Sequence, residues 1–536
     1  MKTIKALLSV LFTVSVLCVF GITGSAADGD YTITITPNSQ DKGVHTYEAY
    51  QVFAGTIAEE NNKTILTNIT WGDGVNSVNL LAALQGETNN VFKEGNDNIF
   101  KDCTDAKDVA KVIGDKNVAN DSEFAKKLAT IIAANISNKN SGTWNSNTKQ
   151  ITGLAAGYYF VQDADNSPVS SENSQKPAAK TRYILEVVKN VTVSVKSSVP
   201  SVVKKVQDIN DSDATPTLTD LQDSADYDLG DTIPYTITAT IGSGIDNFSS
   251  YSFQFVDEMS KGLTLDQGSW DIKVGNKSIK DSFALSGVSS TTSSGGKIWT
   301  WSATDIRSEI SDGSKVVLTY NCILNADAVI GSAGNPNVVK LKFDNNPNSS
   351  GNGTPAGETP WDKNIVFTYK TVFNKVKEDN TTALTGADFK LEKKVDGTWV
   401  DVTSLHTGTG AVNPTKTGDS TGSTFTFTGL DDGVYKLTET TTPNGYNTID
   451  PIEFTITAEH TIEADDPALS SLTGTGGATF TFNLSEGSLS TNIVNKKGST
   501  LPSTGGVGTT VFYVIGGVLV AGAAVVLIAK NKMSKN

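Results

Sequence analysis

Three residue types that can react with one another recur, in the same chain order, where strand alternation turns them onto apolar faces. Side chains of one parity along a strand share a face. In Val202-Val203-Lys204-Lys205-Val206, Lys204 shares parity with Val202 and Val206, while Lys205 goes with Val203 and Gln207. In Phe253-Gln254-Phe255-Val256-Asp257, Asp257 is in phase with both phenylalanines. Asn337 shares the face of Val339, Leu341 and Phe343, with Lys340 and Lys342 on the other side. Further along, Lys375 continues Phe367, Tyr369 and Phe373; Glu439 continues Tyr435 and Leu437; Asn495 continues Leu489 and Ile493. Each of these polar groups could instead sit at a strand end, where the face meets water. The repetition of the set is what draws attention to it.

A buried set of this kind points to intramolecular isopeptide formation. Burial strips a lysine of its hydration, lowers its pKa and leaves a nucleophilic amine. The same burial raises a carboxyl pKa, so that the acid stays protonated. The acid can then polarise the asparagine carbonyl and relay protons as ammonia leaves. Folding supplies the proximity.

The elements that would hold these residues are strands. The chain is rich in Thr, Ser, Gly, Asn and Val, and short alternating segments broken by Gly, Asn, Asp and Pro recur along it. This reads as all-β: tandem immunoglobulin-like β-sandwich domains. The clearest helical segment is 121–134 (DSEFAKKLATIIAA), with an Asp/Ser start and an apolar stripe of helical period, a short helical decoration of the first domain. Boundaries are expected near Ser197 and Ile365, and the stretch from Asn345 to Pro360 reads as a loop. Gly429-Leu430-x-x-Gly433-x-Tyr435-x-Leu437-x-Glu439 has a counterpart in Gly153-Leu154-x-x-Gly157-x-Tyr159-x-Val161-x-Asp163. The first and third domains therefore share a plan.

Both ends carry export signals. Lys2 and Lys5 precede an apolar run from Ala6 to Ile22 and the small residues Gly24-Ser25-Ala26-Ala27, a secretory signal peptide over 1–27. At the other end, Leu501-Pro502-Ser503-Thr504-Gly505 is followed by an apolar run from Val507 to Ala529 and by Lys530, Lys532 and Lys535. This arrangement resembles the sorting signal of sortase substrates in Gram-positive bacteria. The resemblance implies cleavage between Thr504 and Gly505 and transfer of the Thr504 carbonyl to an amine. Leu501, Pro502, Thr504 and Gly505 would form the recognised signal. The expected route is secretion, a transient single-pass membrane intermediate, and attachment at the cell wall.

The resemblance extends inward. Tyr435-Lys-Leu-Thr-Glu439-Thr440-x-x-Pro443-x-Gly445-Tyr446 resembles the E-box of Gram-positive pilins and Cna-B domains. Phe373-x-Lys375-Val376 resembles the matching lysine strand, and Val494-Asn495-Lys496-Lys497 the closing asparagine strand. Pro200 to Lys204, Phe255-Val-Asp257-x-Met259 and Asn337 resemble the second domain of sortase-assembled backbone pilins. From about Val191 onward the chain is similar to that family, with sandwiches of the Cna-A/Cna-B type. The resemblance implies bonds Lys204–Asn337, assisted by Asp257, and Lys375–Asn495, assisted by Glu439. They span 337 − 204 = 133 and 495 − 375 = 120 positions and would tie the first strand of each domain to its last. The implied division is 1–27 signal peptide, 28–197 N-terminal domain, 198–365 middle domain, 366–498 Cna-B-type domain and 499–536 sorting signal with membrane helix and basic tail. The first domain departs from the pattern. Its opening strand, Tyr31 to Thr36, has no lysine, so no bond is expected there, although Asp163 occupies the carboxylate position.

A backbone pilin also needs a surface lysine to accept the next subunit. The family's Tyr-Pro-Lys-Asn pattern is absent; Val191-Thr-Val-Ser-Val195-Lys196-Ser197 stands in its place. Parity puts Lys196 outward with Thr192 and Ser194. The rival, Lys189, is followed by Asn190 and shares parity with Leu185, Val187 and Val191, which predicts an inward side chain.

The reading is thus the major subunit of a covalent pilus, joined Thr504 to Lys196 and supporting adhesion. Expected partners are further copies of itself, a pilin-specific and a housekeeping sortase, peptidoglycan, and accessory pilins or a host receptor. The alternative is a non-polymerising wall-anchored adhesin or minor pilin, with the segment from Thr56 to Ala134 as its binding insertion. The net charge of −15 argues against a nucleic-acid-binding surface. Cys103 and Cys322 fall in different domains, so no disulfide framework is expected. His45, His406 and His460 are scattered, and no nucleophile elbow or phosphate loop appears. The chain is not expected to be an enzyme beyond its own single-turnover closure, nor to need a metal or a cofactor.

Overall fold

The computed structural model describes residues 31–36, 44–60, 63–116, 122–164, 180, 182–195, 199–290, 295–347, 355–419, 421–499 and 507–534. The expected signal peptide, the pentapeptide Leu501 to Gly505 and Lys196 lie outside them.

The first sandwich faces one four-stranded sheet, ordered Val191–Ser194, Tyr31–Thr36, Gln150–Leu154, Thr143–Asn145, against another, ordered Lys63–Trp71, Tyr47–Glu60, Gly157–Asp163, Arg182–Val187. Strand Gly157–Asp163 is buried at every position. Tyr159 and Val161 face the inter-sheet core with Ile33 and Ile151, while Tyr158 and Phe160 face a second core under helices. The expected helix is Glu123–Ala133, capped by Ser122. Two more, Ser77–Gly86 and Ala106–Asp115, join it, so the decoration is a helical layer that covers the sheet's outer face.

The second sandwich pairs a sheet ordered Ser201–Val206, Thr232–Thr240, Lys315–Leu324, Asp271–Val274, Lys277–Ser278 with one ordered Ser224–Asp226, Asp362–Phe367, Asn335–Phe343, Phe253–Met259, Lys297–Ala303, Ala284–Ser289. The third pairs Thr415–Gly418, Thr424–Leu430, Tyr369–Val376, Ser488–Val494, Thr481–Asn483 with Thr398–Asp401, Asp388–Val395, Gly433–Thr441, Ile452–His460, Leu469–Gly476. Strand Asp362–Phe367 belongs to both units. Its backbone pairs with Asn335–Phe343 and Val366 packs in the second core, while Ile365 and Phe367 pack in the third. A boundary at 365 therefore cuts a shared strand.

The internal repeat is a crossing from one sheet of a sandwich to the other. Gly153 and Gly429 adopt φ of +79° and +86°, which favours glycine. In both copies the tyrosine that follows ties the corner: Tyr159 Oη donates to the Ala155 carbonyl at 2.9 Å, and Tyr435 Oη to the Asp431 carbonyl at 2.8 Å. Beyond the sandwiches, Val507–Met533 is one helix, and Thr510–Met533 is long and apolar enough to cross a membrane. Cys103 and Cys322 are both buried and free.

Candidate functional site

Lys204, Asp257 and Asn337 are each fully buried in the middle sandwich. Strand Ser201–Val206 turns Lys204 and Val206 inward and leaves Val203 exposed. Asp257 and Asn337 come from adjacent strands of the opposite sheet, in the register that pairs Met259 with Asn337. Lys204 Nζ donates to Asp257 Oδ2, and also to Tyr320 Oη at 2.7 Å. Tyr320 Oη donates to Asp257 Oδ2 at 2.7 Å and accepts from Asn337 Nδ2 at 3.1 Å. Among the described residues, nothing donates a hydrogen bond to the buried Asp257 Oδ1 and Asn337 Oδ1. Burial lowers the Lys204 pKa despite the nearby Asp257, and burial raises that of Asp257 despite Lys204. Both shifts favour the neutral amine and the neutral acid. Tyr235 and Trp301 stack on Tyr320, with ring centroids 5.4 and 5.3 Å away, and close the site to water.

In the third sandwich the same three types meet differently. Lys375 and Asn495 are fully buried; Lys375 lies on Tyr369–Val376, and Asn495 directly follows the parallel neighbour Ser488–Val494, whose Ile493 pairs with Lys375. Lys375 Nζ donates to Asn495 Oδ1 and, at 3.1 Å, to the Ile493 carbonyl. Glu439, from the opposite sheet, takes Asn495 Nδ2 at 2.9 Å on Oε1 and at 3.2 Å on Oε2, and its Oε1 lies 3.6 Å from Lys375 Nζ. The Ile449 N–H fixes Oε2 at 3.1 Å. Burial again lowers the lysine pKa, against the pull of Glu439.

Each sequence-derived set is thus brought together. The sequence reading missed Tyr320, which occupies an ordinary apolar parity position among Val316, Leu318 and Cys322. It also missed Lys393, in phase with Phe389 and Leu391 and fully buried. Lys393 Nζ meets Asp211 and Asp228 at 2.6 Å and Asp431 at 3.2 Å, which joins the second sandwich to the third. Burial alone would lower its pKa, but the carboxylates outweigh this and hold it well above the ordinary lysine value. It is a charged clamp, not a nucleophile. Beside it, Asp208, Asp226 and His460 come within 4.8 Å of one another, the spacing of a metal-ligand set. His460 already pairs with Asp208 at 3.6 Å and Asp226 at 3.4 Å, which offsets their charge.

Two expectations need correction. Lys189 is exposed, not inward: strand Arg182–Val187 ends before it, and the bend at 188–189 breaks the alternation. The strand that carries Asn337 is not the last of its domain, because Asp362–Phe367 follows it in the same sheet. In the first sandwich, Asp163 is buried and bonded to His45 Nδ1 at 2.6 Å, and Lys180 Nζ donates to the Ala164 carbonyl at 3.0 Å. Val193 is buried while Thr192 and Ser194 are exposed.

Residues 370–467 match the model of a prealbumin-like fold domain (SpaA), and residues 493–535 match the LPXTG cell wall anchor motif. The trypsin-resistant surface T6 protein of Streptococcus pyogenes serotype M6 is 25% identical over 414 residues, 64% of this chain and 70% of that protein. Among solved structures, the T6 backbone pilin of serotype M6 Streptococcus pyogenes is 18% identical with a TM-score of 0.49, covering 88% of this chain and 98% of that one. The major pilin SpaD of Corynebacterium diphtheriae is 15% identical with a TM-score of 0.42, covering 88% and 98%. The two family models and the streptococcal relative thus make the chain similar to the sortase-assembled pilins of Gram-positive bacteria, and its C-terminal segment matches the LPXTG signal that anchors surface proteins to the cell wall.

Proposed function

We propose that this chain is the shaft subunit of a covalent pilus, cross-linked within its middle and third sandwiches and joined to its neighbours end to end. The observation that carries the reading is the pair of sealed clusters, each with a desolvated lysine amine beside an asparagine and a carboxyl. In each, the amine attacks the asparagine Cγ, the Cγ–Nδ2 bond breaks and ammonia leaves. Asp257 and Glu439 polarise the amide and move protons. The products are Lys204–Asn337 and Lys375–Asn495. Between subunits, a pilin-specific sortase transfers the Thr504 carbonyl to Lys196. A housekeeping sortase joins the last subunit to peptidoglycan. Adhesion then follows from display at the surface.

Intact mass and peptide maps of the chain test the internal bonds. Each closure removes about 17 Da as one ammonia, so the expected deficit is about 34 Da for two, carried by branched peptides that contain Lys204 with Asn337 and Lys375 with Asn495. An unmodified mass overturns the reading. For the polymer, Lys196→Ala should abolish the high-mass ladder of wall extracts and Lys189→Ala should leave it. The reverse result would make the exposed Lys189 the acceptor, and a ladder unaffected by either change would favour the non-polymerising alternative.

A further inference from the structure

Closure of either bond must take a proton from the lysine nitrogen and deliver one to the departing asparagine nitrogen. In the third sandwich a single atom stands between these two nitrogens. Glu439 Oε1 lies 2.9 Å from Asn495 Nδ2 and 3.6 Å from Lys375 Nζ. In the middle sandwich the carboxylate is an aspartate, one methylene shorter, and its hydrogen bonds run to Lys204 and Tyr320. The atom that touches both nitrogens is the Tyr320 hydroxyl oxygen, 2.7 Å from Lys204 Nζ and 3.1 Å from Asn337 Nδ2.

We propose that the Tyr320 hydroxyl is the proton conduit of Lys204–Asn337 closure, and that Asp257 with Tyr320 does in the middle sandwich what Glu439 does alone in the third. This rests on the isopeptide reading above. As Nζ bonds to Cγ of Asn337, it releases a proton to Tyr320 Oη. The hydroxyl turns from Asp257 and passes its own proton to Nδ2. The Cγ–Nδ2 bond then breaks and ammonia leaves, with the phenol unchanged. Asp257 holds the hydroxyl in place before the transfer, and the Tyr235 and Trp301 rings fix the plane in which Tyr320 lies. Burial and Asp257 raise the Tyr320 pKa well above its ordinary value, so the phenol enters neutral. Tyr320 touches the reacting atoms and is therefore a catalytic residue.

The test is the full chain carrying Tyr320→Phe, followed by peptide mapping over time after purification, with the Lys375–Asn495 peptide as internal standard. Positioned proton transfer contributes about 10²–10⁴-fold. The Lys204–Asn337 peptide should therefore form at least ~100-fold more slowly while the third-domain peptide forms as in the parent chain. A parent chain that lacks the Lys204–Asn337 peptide defeats the isopeptide reading and this inference with it. A parent chain that closes, beside a Tyr320→Phe chain that closes equally fast, defeats the inference alone. The double variant Asp257→Glu/Tyr320→Phe decides the matter even if the single variant folds poorly. Its longer carboxylate replaces the lost oxygen, and closure faster than in Tyr320→Phe is expected. A folded double variant that stays as open as the single one overturns the conduit.

Discussion

The middle and third sandwiches hold the same three residue types in different frames. In the middle one, Lys204 lies on one sheet and Asp257 and Asn337 on the other, so the proposed bond would staple sheet to sheet. In the third, Lys375 lies on one strand, Asn495 directly follows its parallel neighbour and only Glu439 crosses the core, so the bond would staple the first strand of the domain to the end of the last within one sheet. The reach of the acid follows the frame. Where amine and amide are sheet neighbours, a glutamate bridges them; where they face each other across the core, a shorter aspartate shares the task with a tyrosine. Lys393 supplies the contrast. It is as buried as Lys204 and Lys375, yet its three carboxylates keep it charged, whereas Lys204 and Lys375 each pair with a single carboxylate. On the proposed reading, the number of acidic partners, not burial, separates the nucleophiles from the clamp.

The largest expected effect is removal of either assisting acid. Glu439→Ala should erase the mass deficit of the third domain only, and Asp257→Ala that of the middle domain only. Closing a loop of more than a hundred residues stabilises by about 5 kcal/mol in the chain-entropy account, so calorimetry should show each loss in its own domain. A variant that erased both deficits would mean that the two sites are not independent. Next, Lys393→Met should cost about 3 kcal/mol by leaving buried carboxylates without their cation, with no change in the ammonia deficit. A deficit smaller by one ammonia there would make Lys393 a third reactive lysine and end the contrast.

The junction should also weaken as pH rises from about 4 to about 10. Burial and Asp226 raise the Asp432 carboxyl to about 8, and burial and Asp228 raise that of Asp231 likewise. In the folded state each keeps a proton that the unfolded chain has lost, so this contribution falls as pH climbs from about 4 to about 8. Burial opposes the charged imidazole of His460, yet Asp208 and Asp226 outweigh it and hold it up at about 10. Its stabilisation is complete below about 6.5 and is lost as pH passes about 10. Both effects have one sign. Amide exchange around residues 208–231 and 431–434 should therefore speed up more with pH than the intrinsic rate does, and a junction that tightened would refute it. The smallest effect is expected at Lys205→Ala, one residue from Lys204. Lys205 is partly exposed and pairs with Asp223 and Glu463. Such pairs contribute about 0.5 kcal/mol, and calorimetry should find little change.

Parity made Lys204, Asp257, Asn337, Lys375, Glu439 and Asn495 legible, because alternation along a strand is local and survives without knowledge of the fold. Lys393 obeys the same rule, and its position beside Phe389 and Leu391 could have found it. No local signal distinguishes Tyr320, which looks like any inward aromatic until four strands converge on it. Lys189 was misread because parity holds only while the strand does, and a bend at 188–189 ended it. The helical layer of the first domain was legible only in Glu123–Ala133. Ser77–Gly86 and Ala106–Asp115 are short, and the sheet face they cover gives them their reason to fold.

The sequence by itself determined the all-β character, the C-terminal sorting signal and which side chains turn inward, since these depend on residue type, order and spacing. The tertiary structure alone decided what each inward group meets: an amide oxygen for Lys375, a tyrosine hydroxyl for Lys204, three carboxylates for Lys393. Those partners lie 38 to 182 residues apart in the chain, and only the pairing of distant strands and the packing of one sheet on another bring them within reach.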